Sequence, residues 1–251
     1  MGIMKNALRE RIRRKDIYVI IAIGILIVMM CMSGAATLSV NGVAVTEFKI
    51  MMPLVLNISS VLGGAIAIAL SLRTIPNEYE RKTSHLVWIR GVSQWKYHSQ
   101  LAMANVVSSL GALLILYSAV IVFAVMKGEM SVLVKGIPAF GLFAISTAAV
   151  SLFTSAISLV LPGMAAGVVC VGCMLAAIGY PVLETLSGIL SGVARQLIRG
   201  VLFVMPDLYS VQQQASKLLL GKEIEIHRVL AGSLVIYFCV VLLYLIRKKE
   251  A

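Results

Sequence analysis

Five long stretches of this chain contain no Asp, Glu, Lys or Arg: residues 17–46, 50–72, 97–126, 136–183 and 229–246. A helix needs about 20 apolar residues to cross the hydrocarbon core of a bilayer, and helices and closed barrels are the structures that pair their whole backbone there. Four of the stretches suit one span each, and the 48 residues of 136–183 suit two. Within that stretch Leu161-Pro162-Gly163 marks a turn, since proline lacks a backbone donor and glycine bends freely. The expected class is an all-α membrane protein of six transmembrane helices, at roughly 17–39, 51–72, 101–125, 137–160, 164–183 and 229–246. With 60% hydrophobic residues, the chain reads as one transmembrane domain, 1–251, with no separate soluble module.

Basic residues set the orientation. Cytoplasmic flanks are enriched in Lys and Arg, and short loops weigh most. With both termini inside, the inner segments hold 14 Lys and Arg against 3 in the short outer ones. The tail, 1–16, carries Lys5, Arg9, Arg11, Arg13, Arg14 and Lys15, while Met4, Leu8 and Ile12 recur at helical spacing. This pattern predicts an interfacial helix lying on anionic membrane lipid. The first apolar run is too long for the core of a cleaved leader, so the tail is expected to remain as the flank of span one. The stretch 184–228 contains Arg195 and Arg199, which are costly at a helix centre. It is expected to form an extracytoplasmic helical segment, re-entrant or interfacial, that ends near Pro206-Asp207 and is followed by a second short helix at 210–220. Arg195, Arg199, Pro206 and Asp207 are its candidate gate residues.

Several chemistries lack their residues. The net charge of +11 belongs to loop flanks in a chain this apolar, so no nucleic-acid partner is expected. The spans hold no ionisable group for proton coupling or for a hydrolase, and they predict an apolar, uncharged inner surface. Cys170 and Cys173 form C-x-x-C inside a span without histidine or charge nearby, which reads as helix packing. His85, His98 and His227 lie in loops without metal-ligand spacing and read as solvated or interfacial; no metal is expected. Gly221-Lys222 lacks the glycine-rich loop of a phosphate cradle, so the chain is not expected to be an enzyme or to bind a cofactor. Gly63-Gly64 with Ala67, Gly163-x-x-x-Gly167 and Gly188-x-x-x-Gly192 supply small faces for close helix contact.

The loop 73–100 carries most of the functional information. Its Glu78, Tyr79, Glu80, Arg81, Thr83, Leu86, Trp88 and Arg90 mix acids, bases and large apolar groups, as a helix docking into a partner's groove would. Glu78, Glu80 and Thr83, then Leu86-Val87, then Gly91, Ser93 and Lys96 resemble the loop of type-2 ATP-binding-cassette exporter permeases. Lys82 stands where that pattern usually has glycine, and Gln94 where it has arginine. The basic first helix, the six spans and the outer segment between spans five and six are similar to the same family over the whole chain. The resemblance implies a permease subunit of an ATP-driven exporter in the bacterial plasma membrane. Its 73–100 loop would contain the coupling helix, and ATP and Mg would bind two copies of a separate ATPase. A second copy of the permease would complete the pathway. The cargo implied is an amphipathic or hydrophobic molecule, foremost a peptide of the bacteriocin, lantibiotic or toxin kind. The alternatives are lipids or hydrophobic drugs, or a non-transporting peptide immunity or sensor protein.

Overall fold

In a computed structural model, residues 2–13, 16–32, 39–40, 43–44, 48–82, 87–89, 91–204 and 207–245 are described. They form α1 (Gly2–Arg13), α2 (Asp16–Met32), a two-residue hairpin of β1 (Ser39–Val40) with β2 (Val43–Ala44), α3 (Phe48–Leu72), α4 (Thr74–Glu80), α5 (Gln94–Met126), α6 (Ser131–Val160), α7 (Gly163–Ile178), α8 (Tyr180–Ile189), α9 (Gly192–Val204), α10 (Leu208–Leu219) and α11 (Ile226–Leu245). The fold is thus helical apart from one antiparallel pairing, Val40 with Val43 and Ser39 with Ala44.

Three helices are long and apolar enough to cross a membrane: Met52–Glu80, Gln94–Met126 and Ser131–Val160, with mean hydropathies of 2.0, 2.4 and 1.8. A fourth span is met only if α7 and α8 count together, and they bend by 72°. Several long apolar helices mark a multi-pass membrane protein. The first and last apolar stretches fold as α2, of 17 residues, and α11, of 20. The turn expected at 161–163 is present: Pro162 adopts an extended backbone and caps α7, so α6 and α7 form a tight hairpin.

Helix α6 is the hub, packing against α3, α5, α7, α10 and α11. Of the apolar window in α6, 72% is buried, against 50% and 44% in the other two long helices. Two apolar clusters divide the bundle along its length. One gathers Ile75, Tyr97, Leu101, Leu159, Cys239 and Leu243 at what we call the proximal end. The other gathers Met52, Leu56, Phe123, Val132, Phe143, Ala215 and Leu219 at the distal end. Close approach of α3 to its neighbours depends on glycine. A Cβ on Gly63 would lie 3.0 Å from Leu113 Cδ1, and one on Gly64 only 2.6 Å from Met174 Sδ. Gly167 of α7 meets Leu72 in the same way, whereas Gly163 and Gly188 have open space around their backbone. Cys170 packs with Ile68 and Met174, in keeping with a packing role.

The structure adds to or corrects three expectations. First, α1 also carries Ile3 and Ala7, one turn apart, which pack against the proximal cluster. The first helix is therefore docked on protein along that stripe, because the cluster offers an apolar seat that competes with lipid. Second, part of the segment 184–228 is buried in protein. Helix α10 starts two residues before the expected 210 and is sunk into the bundle, with Val211, Gln214 and Ala215 fully buried. The second short helix expected there is thus packed inside the protein, while α9 stays exposed. Third, His98 is 1% exposed rather than solvated, held by Tyr79. His227 is exposed as expected, and His85 lies outside the described residues.

Candidate functional site

Two polar assemblies stand out in this apolar bundle. The first joins the proximal ends of α1, α4 and α5. Helix α4 continues α3 beyond Arg73, so a helical rod of 29 residues, about 43 Å, runs from Met52 to Glu80. The 33 residues of α5 span about 50 Å. Both exceed the roughly 30 Å hydrocarbon core, so their ends stand clear of it. Three contacts clamp these ends. Tyr97 donates to Glu78 Oε2 at 2.9 Å, and the Tyr79 hydroxyl meets His98 Nε2 at 2.7 Å. Gln94 donates to the same Tyr79 oxygen at 3.3 Å. Tyr79 also stacks against Trp88 with ring centres 5.7 Å apart, and Trp95 meets Tyr244 of α11 edge-on at 4.9 Å. Tyrosine and tryptophan at this level suit a membrane boundary, where a ring is half in lipid and its polar atom in water.

The candidate loop residues divide accordingly. Glu78, Tyr79 and Trp88 face their own bundle and hold the loop's base. Glu80 and Arg81 are exposed, and Arg81 reaches Glu10 of α1 at 3.4 Å across a solvated gap. Thr83, Leu86 and Arg90 lie outside the described residues. Ile89, one of the apolar residues that interrupt this loop's charge, is left open at 82% exposure. Lys82 follows the last turn of α4 with φ of 56°, a left-handed conformation that favours glycine.

The second assembly is a seam of hydroxyl and amide groups through the bundle. Along α6, Ser146, Thr147, Ser151, Thr154, Ser155 and Ser158 are all buried. Most donate to their own helix: Ser155 to the Ser151 carbonyl at 2.9 Å, Thr154 to Val150 at 2.8 Å, Ser158 to Ser155 at 2.9 Å. Such back-bonding satisfies a hydroxyl proton in hydrocarbon and leaves lone pairs for neighbours. Those neighbours are present. Asn105 of α5 donates to Ser155 Oγ at 2.8 Å, and Ser71 and Ser109 approach Ser151 Oγ at 2.9 and 3.4 Å. At the proximal end Arg11 of α1 enters the seam, donating to the Asn105 carboxamide oxygen and, at 2.6 Å each, to the Leu70 carbonyl and Thr74 Oγ1.

The bundle interior is therefore uncharged but not wholly apolar along this seam, and one tail arginine closes its proximal end. Sequence reading missed Arg11 because charge on an amphipathic helix is assigned to water by default. The available signal was the Ile3–Ala7–Arg11 register and the lone Asn105 in the third apolar stretch. Among the described residues no three His, Cys, Asp or Glu side chains come together as metal ligands.

The gate candidates are not brought together. Arg195 and Arg199 are exposed on α9, whereas Asp207 caps α10 by accepting from the Ser210 N–H at 2.9 Å. Pro206 lies outside the described residues. At its other end α10 is tied down by Lys217 to Glu225 at 2.6 Å, and Gln214 accepts from the Glu225 N–H at 2.9 Å. No protein-family model, curated protein or solved structure matches this chain.

Proposed function

We propose that this chain is the permease subunit of an ATP-driven exporter in a bacterial plasma membrane. It works as two copies with two copies of a separate ATP-binding-cassette ATPase, and it carries an amphipathic peptide outward. Both termini are cytoplasmic. In favour of that sidedness, α1 and Tyr244 near the end of α11 meet at the proximal end, where the basic flanks also lie.

The observation that carries the reading is the junction of α4 and α5. Two rods that cross the bilayer project beyond it and are clamped through Glu78–Tyr97 and Tyr79–His98. The clamp leaves Glu80, Arg81 and Ile89 facing outward. A push on this tip reaches both rods and, through Arg11, the polar seam. The chain carries no phosphate-binding loop, so the push is supplied by a partner. An exposed isoleucine flanked by charge fits an apolar groove with a charged rim. The resemblance of this loop to exporter permeases adds the partner's identity.

The test is a double variant, Glu80→Lys with Ile89→Asp, made in the full chain. It is expected to insert and unfold like the parent, yet to lose copurification of the ATPase from the native membrane. Retained ATPase in equal amount would refute the loop as the contact.

A further inference from the structure

We infer that the pocket between α3, α6, α7 and α10 is a mid-membrane site for an uncharged amide, the peptide bond of a transported chain. This proposal names the substrate chemistry of the exporter reading and rests on it for its biological sense. The pocket is lined by Ser60 and Gly64 of α3, Ser146 and Thr147 of α6, Met174 of α7 and Gln212 of α10.

Its depth follows from the helix contacts. Gly167 meets Leu72 at the proximal end and Met174 meets Gly64, so Ile178, one turn on, comes level with Ser60 midway along α3. There α7 stops at Gly179 and the chain turns by 72° into α8. Helix α10, of 12 residues, starts at this level with Leu208 at the pocket wall and runs to the distal end. Broken helices whose ends meet at mid-depth are how membrane proteins present polar groups to a ligand without exposing backbone to lipid.

The independent observation is Gln212. It is 3% exposed, it lines the pocket, and its Oε1 has no hydrogen-bond partner. A buried unpaired carbonyl costs about 1–3 kcal/mol, so the site is built to receive a donor. No lining residue is ionisable, which makes a charged ligand expensive at this depth. A carboxamide offers one acceptor and one donor edge, and an amide's N–H and C=O match both. The pocket encloses about 220 Å³ counted to its mouth, but its walls leave room for about one water. Met174 lines the pocket, its sulfur 2.6 Å from where a Gly64 Cβ would be. A larger guest needs this unbranched thioether to move aside, which its flexibility allows.

The experiment uses the full chain in lipid nanodiscs and two uncharged probes of one shape, N-methylhexanamide and methyl hexanoate. The ester lacks the N–H and leaves Gln212 Oε1 unpaired. Thermal unfolding is titrated with each. The amide is expected to shift the transition saturably, with affinity roughly tenfold above the ester's. Gln212→Leu should remove the preference, and Gly64→Ala, which crowds Met174, should weaken both probes. If Gln212→Leu does not fold, the near-isosteric Gln212→Met carries the comparison. Equal shifts for amide and ester, no saturable shift, or an amide preference untouched by the Gln212 variant would each overturn the proposal. The measurement contains no ATPase. Amide binding without an ATPase partner would sink the exporter reading alone, and an ATPase partner without amide binding would sink this site alone.

Discussion

Lys82 and Arg11 carry the most specific claims at the scale of single residues. With φ of 56°, Lys82 occupies a conformation that costs an L-residue about 1 kcal/mol and glycine almost nothing. Its N–H bonds the Tyr79 carbonyl at 3.0 Å, as expected of the residue that ends a helix in the left-handed region. Lys82→Gly is therefore predicted to raise stability by about 0.5–1 kcal/mol, read as a higher unfolding temperature; a lower one would contradict the assigned backbone. The sequence carried this point, because Lys82 stands where the similar loops have glycine. Arg11 was missed although it shares a helical register with Ile3 and Ala7, since charge on a tail helix is assigned to water by default. Arg11→Ala should leave the Asn105 oxygen without that donor and cost about 1–3 kcal/mol. Limited trypsin digestion should then release α1 faster than in the parent, and Arg11→Lys should not restore it, because an ammonium lacks the guanidinium's planar fork. Unchanged release would show that Ile3 and Ala7 suffice to dock α1.

Among the elements, α10 separates what pattern reading reached from what it missed. Its extent, Leu208–Leu219, lies close to the expected 210–220. Its burial was hidden, because Gln212, Gln213, Gln214 and Ser216 read as a solvated face. Gln213 bonds Tyr209, Gln214 accepts from the Glu225 N–H and Ser216 donates to the Gln212 carbonyl, while Gln212 shares the pocket lining with Ser146 and Thr147 of α6. The break at Gly179 was hidden for a related reason: an apolar run continues across it to Leu183, and hydropathy does not register direction. Impermeant maleimide distinguishes a sunken helix from a lid. In a background without the four native cysteines, Ala215→Cys should stay unlabelled while Lys222→Cys, in the exposed turn after α10, reacts from outside. Equal labelling would return α10 to the surface.

For the whole molecule, three features belong to no single element: an exposed Ile89, two helical rods long and apolar enough to cross a bilayer, and a polar seam closed by Arg11 at one end. Sidedness is the premise of the exporter reading. Met130→Cys should react with an impermeant reagent on intact cells, and Lys248→Cys should react only after lysis. Reaction of position 248 on intact cells would invert the topology and detach the loop from any cytoplasmic ATPase. The proposed second copy would supply the other wall of a pathway, and closed two-fold pairing is the commonest assembly of identical chains. Native mass spectrometry of the tagged full chain, extracted gently from its own membrane, tests the central claim most directly. The account predicts an assembly of two copies of this chain with two copies of an ATP-binding-cassette ATPase, dissociated by Glu80→Lys with Ile89→Asp. A chain that leaves the membrane alone, or with partners that bind no nucleotide, would contradict it.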